Sequence, residues 1–197
     1  AADPDMALRV IGYDGVAYRE QLLDKKERNE RYPVITMVLY FGYRRRWDKP
    51  LTILEQTEVP EGLEAYVNDY KVNLFEVAYL SDEQVAMFQS DFRIVADYFV
   101  QKRKYNEYTP SQVQMQHVDA VLQLLSIMEN DKRFEAALYK NDGKKVENMC
   151  DVLDIVEQRG EKRGIERGAA EIMRALYQNG YTEKQIAQMT NREVLEV

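Results

Sequence analysis

The chain reads as a helix-rich α/β protein whose sheet is confined to the first eighty residues. Three observations carry this. Pro33 to Phe41 (PVITMVLYF) is an uncharged run rich in β-branched and aromatic residues, bounded by Pro and Gly. It is too short for a membrane span, so it predicts a strand buried on both faces. A capped amphipathic segment precedes it. From Ser81 onward, apolar residues recur at helical spacing, with capping signals between the stripes.

Asp3-Pro4 supplies an N-cap and a proline at the first helical position. Met6, Val10, Tyr13 and Ala17 then predict one apolar stripe. Gly12 and Gly15 weaken that helix by roughly 1 kcal/mol each, and close approach to a strand would explain them. A charged run, Asp24 to Arg31, leads into the strand. Residues 48–66, with Pro50 and Pro60, predict a loop with one short helix. Tyr70 to Leu80 predicts a second strand, at an edge because its apolar and polar faces are imperfectly split.

Ser81-x-x-Gln84 is a capping box, followed by the stripe Val85, Phe88, Phe92, Val95 and Phe99 and the basic end Lys102-Arg103-Lys104. Thr109-Pro110-Ser111-Gln112 predicts a second box, with Met115, Val118, Leu122 and Leu125 as its stripe. A helix over Phe134 to Tyr139 should end at the turn Asn141-Asp142-Gly143. Another starts near Val146 and uses Met149, Leu153 and Val156. It runs into a repeat, RGEKRGIERG, with Gly160, Gly164 and Gly168 four apart. Such spacing permits close helix packing and so a homo-oligomer, or else a charged, partly flexible helix. The tail stops at Asn179-Gly180 and restarts at Thr182, with Ile186 and Met189. A turn near Thr190 and a second helix bearing Arg192, Glu193 and Glu196 give it a helix-turn-helix flavour, although phosphates would repel the two acids.

The net charge of −7 argues against nucleic-acid binding by the whole surface. By successive blocks of fifty residues the charge runs +2, −8, +1 and, for the last 47, −2. Any contact with DNA must therefore be local, at Arg44–Arg46 or Lys102–Lys104. With one cysteine, Cys150, no internal disulfide forms, and a small buried hydrophobe is the plain reading of it. No signal peptide or membrane span is seen, which makes cytoplasmic residence the default and a membrane partner unexpected. His117, the sole histidine, has no Cys or His near it for a zinc site and reads as a surface or boundary residue.

Several stretches resemble one bacterial family. RYPVITMVLYFGYRRRWDKP is similar to its segment of a strand, an aromatic-aromatic-Gly, basic residues and W-(D/N)-x-P. ADPDMALRVIGYDGVAYREQLL resembles the family helix that follows the catalytic strand, LEAYVNDYKVNLFEVAYL its next strand, and SDFRIVADYFVQKRK and MCDVLDIVEQRGEKRGIERG its later helices. The family is that of PD-(D/E)XK nucleases known as recombination-promoting nucleases and transposases. The resemblance implies part of a restriction-endonuclease-like core over residues 1–80, a helical extension over 81–150 and a charged helical tail over 151–197. It implies a metal-dependent DNA endonuclease linked to recombination or mobile elements, with DNA as partner and Mg²⁺ as cofactor of the full-length protein.

In that family the catalytic carboxylates precede the RVIGYDG helix. The chain should thus be an N-terminally truncated form that binds no metal and does not cut DNA alone. The alternative is a non-enzymatic remnant that dimerises or binds a partner through its helices. Asp69-Tyr70-Lys71, with Pro60-Glu61 upstream, matches the (D/E)-x-K pattern in which carboxylates hold a cation and a lysine activates water. Such strings are frequent by chance, and an exposed strand edge explains this one equally. Arg9 and Tyr13, one helical turn apart, match family residues beside the active site; their plain reading is a buried tyrosine over an arginine stem. Arg44, Arg45, Arg46 and Trp47 would grip a DNA backbone with the indole stacked on a base. The other reading is a solvated loop with Trp47 plugging the core.

Overall fold

The computed structural model describes residues 2–23, 31–139 and 146–190. The charged run at 24–30, the Asn141-Asp142-Gly143 turn and the tail helix with Arg192, Glu193 and Glu196 lie outside these. The chain divides into two compact units, Ala1–Thr109 and Pro110–Val197.

In the first unit, Asp3 Oδ1 accepts the backbone N–H of Asp5 at 2.9 Å, just ahead of α1 (Met6–Leu23). The helix buries Ala7, Val10 and Asp14. Its stripe is therefore rotated from the expected one. Tyr13 is 58 % exposed, and its neighbour Asp14 is the inward residue at 4 %. The plain expectation of a buried Tyr13 is corrected accordingly. A Cβ at Gly12 or Gly15 would meet open space, so close approach does not explain these glycines.

Strands β1 (Met37–Tyr40) and β2 (Asn73–Glu76) pair in parallel, from Met37↔Asn73 to Tyr40↔Glu76. One core cluster joins Ala7 and Val10 to Ile53 and Val72, flanked by Val38 and Leu74. Another gathers Val77, Leu80, Val85, Ala96 and Val100 with Phe41, Phe75, Phe88 and Phe92. Alternate residues of the β2 segment thus feed two cores, as the period of two dictates. The long run was expected to be buried on both faces, and it is not. Ile35 is 73 % exposed, and Met37 and Leu39 are exposed too. Among the described residues β1 pairs with β2 alone, so neither strand is interior to a sheet.

Between the strands lies a loop with one 3-10 turn, Glu64–Tyr66, close to expectation. The second strand is shorter than predicted, because a 3-10 turn at Val77–Tyr79 ends it. The Ser81–Gln84 capping box forms in full and opens α2 (Asp82–Ala86). The stripe that continued from Val85 to Phe99 is broken, and α3 (Phe92–Tyr105) starts afresh. Lys102, Arg103 and Lys104 occupy its last turn, and Asn106 closes it in the left-handed region at φ 57°.

The helix expected at Pro110 does not form. Gln101 on α3 binds both backbone groups of Thr109, donating to its carbonyl and accepting its N–H. That side-chain clasp occupies the residue that would have capped. In the second unit Met115 donates its N–H to the carbonyl of Glu147 at 2.8 Å, and the helix begins only at Val118. Helices α4 (Val118–Glu129), α5 (Lys132–Tyr139) and α6 (Met149–Gln178) pack in sequence, and α7 (Glu183–Thr190) packs on α6. Asn148 and Asp151 form a capping box at the start of α6. The glycine repeat lies inside this one thirty-residue helix, with open space beside each glycine. The helix stops at Asn179, and Gly180 has φ +87°. Cys150 is half-buried, with Sγ 3.8 Å from the Pro110 carbonyl, and His117 is exposed just before α4. Among the described residues no helix is long and apolar enough to cross a membrane.

Candidate nucleic-acid interface

The loop that follows β1 is built from its glycine outward. A Cβ at Gly42 would run into the far end of the Tyr40 ring, so glycine there lets the ring lie over the turn without shifting. Tyr40 then donates its hydroxyl proton to the Arg45 carbonyl at 3.1 Å, drawing the loop back. Burial, with Tyr79 next in effect, raises the Tyr40 pKa above its ordinary value, so the hydroxyl stays a donor. Trp47 meets the Tyr40 ring edge-on at 5.4 Å and donates its indole N–H to the Lys49 carbonyl at 2.8 Å. The indole is half-buried and already bonded, which favours the loop-plugging reading of Trp47 over base stacking.

Glu76, opposite Tyr40 in the sheet register, organises the basic side chains. Its Oε2 accepts from Arg46 Nη1 at 2.7 Å, and its Oε1 accepts the Trp47 backbone N–H at 2.9 Å. The Arg46 guanidinium lies over the Tyr79 ring at 4.3 Å. From α3, Arg103 lies over the same ring at 5.1 Å, anchored by donation from Nε to the Ala78 carbonyl at 2.7 Å. The two basic clusters, far apart in sequence, thus meet on one tyrosine. Cation–π stacking and these hydrogen bonds hold both guanidiniums in fixed positions. Around them, Arg44 lies over the Tyr43 ring at 5.8 Å, Arg45 is exposed, and Lys104 pairs with Asp82 at 2.6 Å.

The other candidates sit elsewhere in the first unit. Arg9 pairs with Asp3 at 2.9 Å, and both Arg9 and Tyr13 are exposed. A hydrogen bond with Tyr13, and then Asp3, raises the Arg9 pKa above its ordinary value. Asp69 Oδ1 accepts the Leu54 N–H at 3.1 Å, and Lys71 forms an isolated antiparallel bridge with Thr52. Both are exposed, as is Glu61. For Mg²⁺ a donor set needs several converging oxygens. No three Asp, Glu, His or Cys side chains converge so among the described residues, and Asp69 is engaged with backbone. The described residues do not fit that ion.

Asp14 was not among the candidates. Its buried carboxylate accepts from the Thr36 hydroxyl and, at 3.0 Å, from the Tyr70 hydroxyl. It thereby ties α1 to the residues entering both strands. That hydrogen bond, with burial second, raises the Tyr70 pKa. The only signal in the sequence is the spacing Ala7, Val10, Asp14, which is helical but contains an acid where a pattern reader expects an apolar residue.

No curated protein and no solved structure matches the chain. One family model does, over residues 1–134, and its description is "Putative transposase, YhgA-like". That stretch is more than half of the 197 residues and holds α1, both strands and the Arg46–Tyr79–Arg103 cluster. The chain therefore belongs to the YhgA-like transposase family.

Proposed function

We propose that the chain is the DNA-gripping part of a PD-(D/E)XK-type endonuclease of this family, serving recombination or a mobile element. Its phosphate contacts are Arg46 and Arg103, with Arg44 and Arg45 at the rim. The observation that carries the reading is the convergence of the two basic clusters on Tyr79. Guanidiniums held by stacking lose little freedom when a phosphate arrives, and their free N–H edges suit its oxygens. Because the residues at Asp69 do not gather a cation, the 197 residues by themselves bind DNA without cutting it.

The test is duplex-DNA affinity of the full chain across a salt series, by fluorescence anisotropy. In Arg46→Gln/Arg103→Gln the affinity should fall about tenfold at low salt, and the log–log salt slope should flatten by roughly 1.8, for two phosphates lost. An unchanged affinity and slope would remove this surface from the proposal. Plasmid nicking that needs Mg²⁺ and disappears in Asp69→Ala would overturn the non-cutting part.

A non-enzymatic dimerising role is the second reading, and one observation favours it. Ile165 and Ile172 are exposed on α6, with Gly168 between them on the same helical face.

A further inference from the structure

The second unit contains a cavity of about 370 Å³ between α5 and α6. Lys132 and Arg133 reach it from the first turn of α5, and Arg159, Lys162 and Arg163 from the middle of α6. Among the described residues Glu166 is the one acid lining it, and Arg133 also holds Asp131 at 2.6 Å. Among the described residues the cations at this cavity outnumber the acids, in a chain whose net charge is −7. A local field of the opposite sign needs a local reason.

A second, separate observation points to a ligand. Arg159 Nη2 is buried and, among the described residues, has no hydrogen-bond partner. A buried guanidinium N–H left unpaired is costly, and an oxyanion in the cavity would satisfy it. Arg163, which also lines the cavity, donates Nε to the Arg159 carbonyl at 3.2 Å. The wall between the cations is apolar, formed by Ala136 and Val156. The volume falls in the range of small-molecule sites, roughly 300–1,000 Å³.

We propose that this cavity binds a nucleotide, its phosphates held by Arg159, Lys162 and Arg163 and its base against Ala136 and Val156. The site is distinct from the Tyr79 surface of the first unit and does not depend on it. The nucleotide is either free in solution or the phosphorylated 5′ end of a strand. Both present one chemistry, a flat ring joined to an oxyanion.

The experiment measures binding of four probes to the full chain by calorimetry. They are ATP, inorganic tripolyphosphate, and a short single strand with and without a 5′ phosphate. Tight ATP binding supports a free nucleotide, and binding of the strand only when phosphorylated supports the strand end. In either case Arg159→Gln/Lys162→Gln should weaken binding at least tenfold. Arg159→Lys should retain most of it. Lys162→Glu, at an exposed position, serves as a second variant if the double one fails to fold, and should also weaken binding. Arg46→Gln/Arg103→Gln should bind ATP as the unsubstituted chain does, whether or not the DNA surface is disproved. The proposal is overturned if no probe binds, if the cavity variants bind unchanged, or if tripolyphosphate binds as tightly as ATP.

Discussion

At the scale of single residues, Asp14 and Gly42 carry structural duties that composition does not display. Asp14 is a buried acid whose two partners are both hydroxyls, from Thr36 and Tyr70. Asp14→Ala strands both donors and should cost about 1–3 kcal/mol, read as a lowered urea midpoint with an unchanged m value. Asp14→Asn, which keeps an acceptor, should cost less; equal losses for the two would show that acceptance is not what matters. Arg44 to Trp47 was legible as a basic, aromatic loop because the residues stand side by side. Its link to Arg103 was not, since nothing in a linear chain announces that residues 46 and 103 share the Tyr79 ring. Asp14 stayed hidden because a pattern reader assigns the inward positions of a helix to apolar residues.

Among the elements, helices announced by a capping residue and ended by a breaker were largely legible. The Ser81–Gln84 box and the Asn179-Gly180 stop stand where their chemistry put them. Thr109-Pro110-Ser111-Gln112 carries the same local grammar and fails, because Gln101 takes the Thr109 backbone first. Helix α6 shows the converse. Its three glycines disfavour a helix locally, yet it runs through all of them. Since a Cβ at Gly160, Gly164 or Gly168 meets open space, replacing all three by alanine should stabilise the second unit. The gain is up to roughly 1 kcal/mol per site, seen as a higher melting temperature by circular dichroism. A drop in melting temperature would mean that something packs against them in solution.

For the whole molecule, the two strands and the helical character after Ser81 were readable from periodicity, while the parallel pairing of the strands and the exposure of the first were not. Periodicity reports what a segment can bury and is silent on how many neighbours it has. The same applies to association. If Ile165, Gly168 and Ile172 form a self-complementary face, sedimentation of the 197-residue chain should show a dimer that Ile165→Glu/Ile172→Glu converts to monomer. A concentration-independent monomer would remove the dimerising reading and leave the DNA-binding one standing. The charge distribution adds a further constraint. With residues 51–100 at −8, duplex DNA is repelled by much of the first unit, so contact should be confined to few phosphates and vanish early in a salt series.

The exposed outer side of β1 has a practical consequence at the bench. Ile35, Met37 and Leu39 lie on or beside a short strand that, among the described residues, pairs on one side only, without a charge or proline between them. Such an edge is a template for the next molecule's strand. Precipitation on concentrating or warming the sample should begin there. A lysine at position 37 or 39 is the gatekeeper substitution that would keep the chain dispersed without touching the Tyr79 cluster.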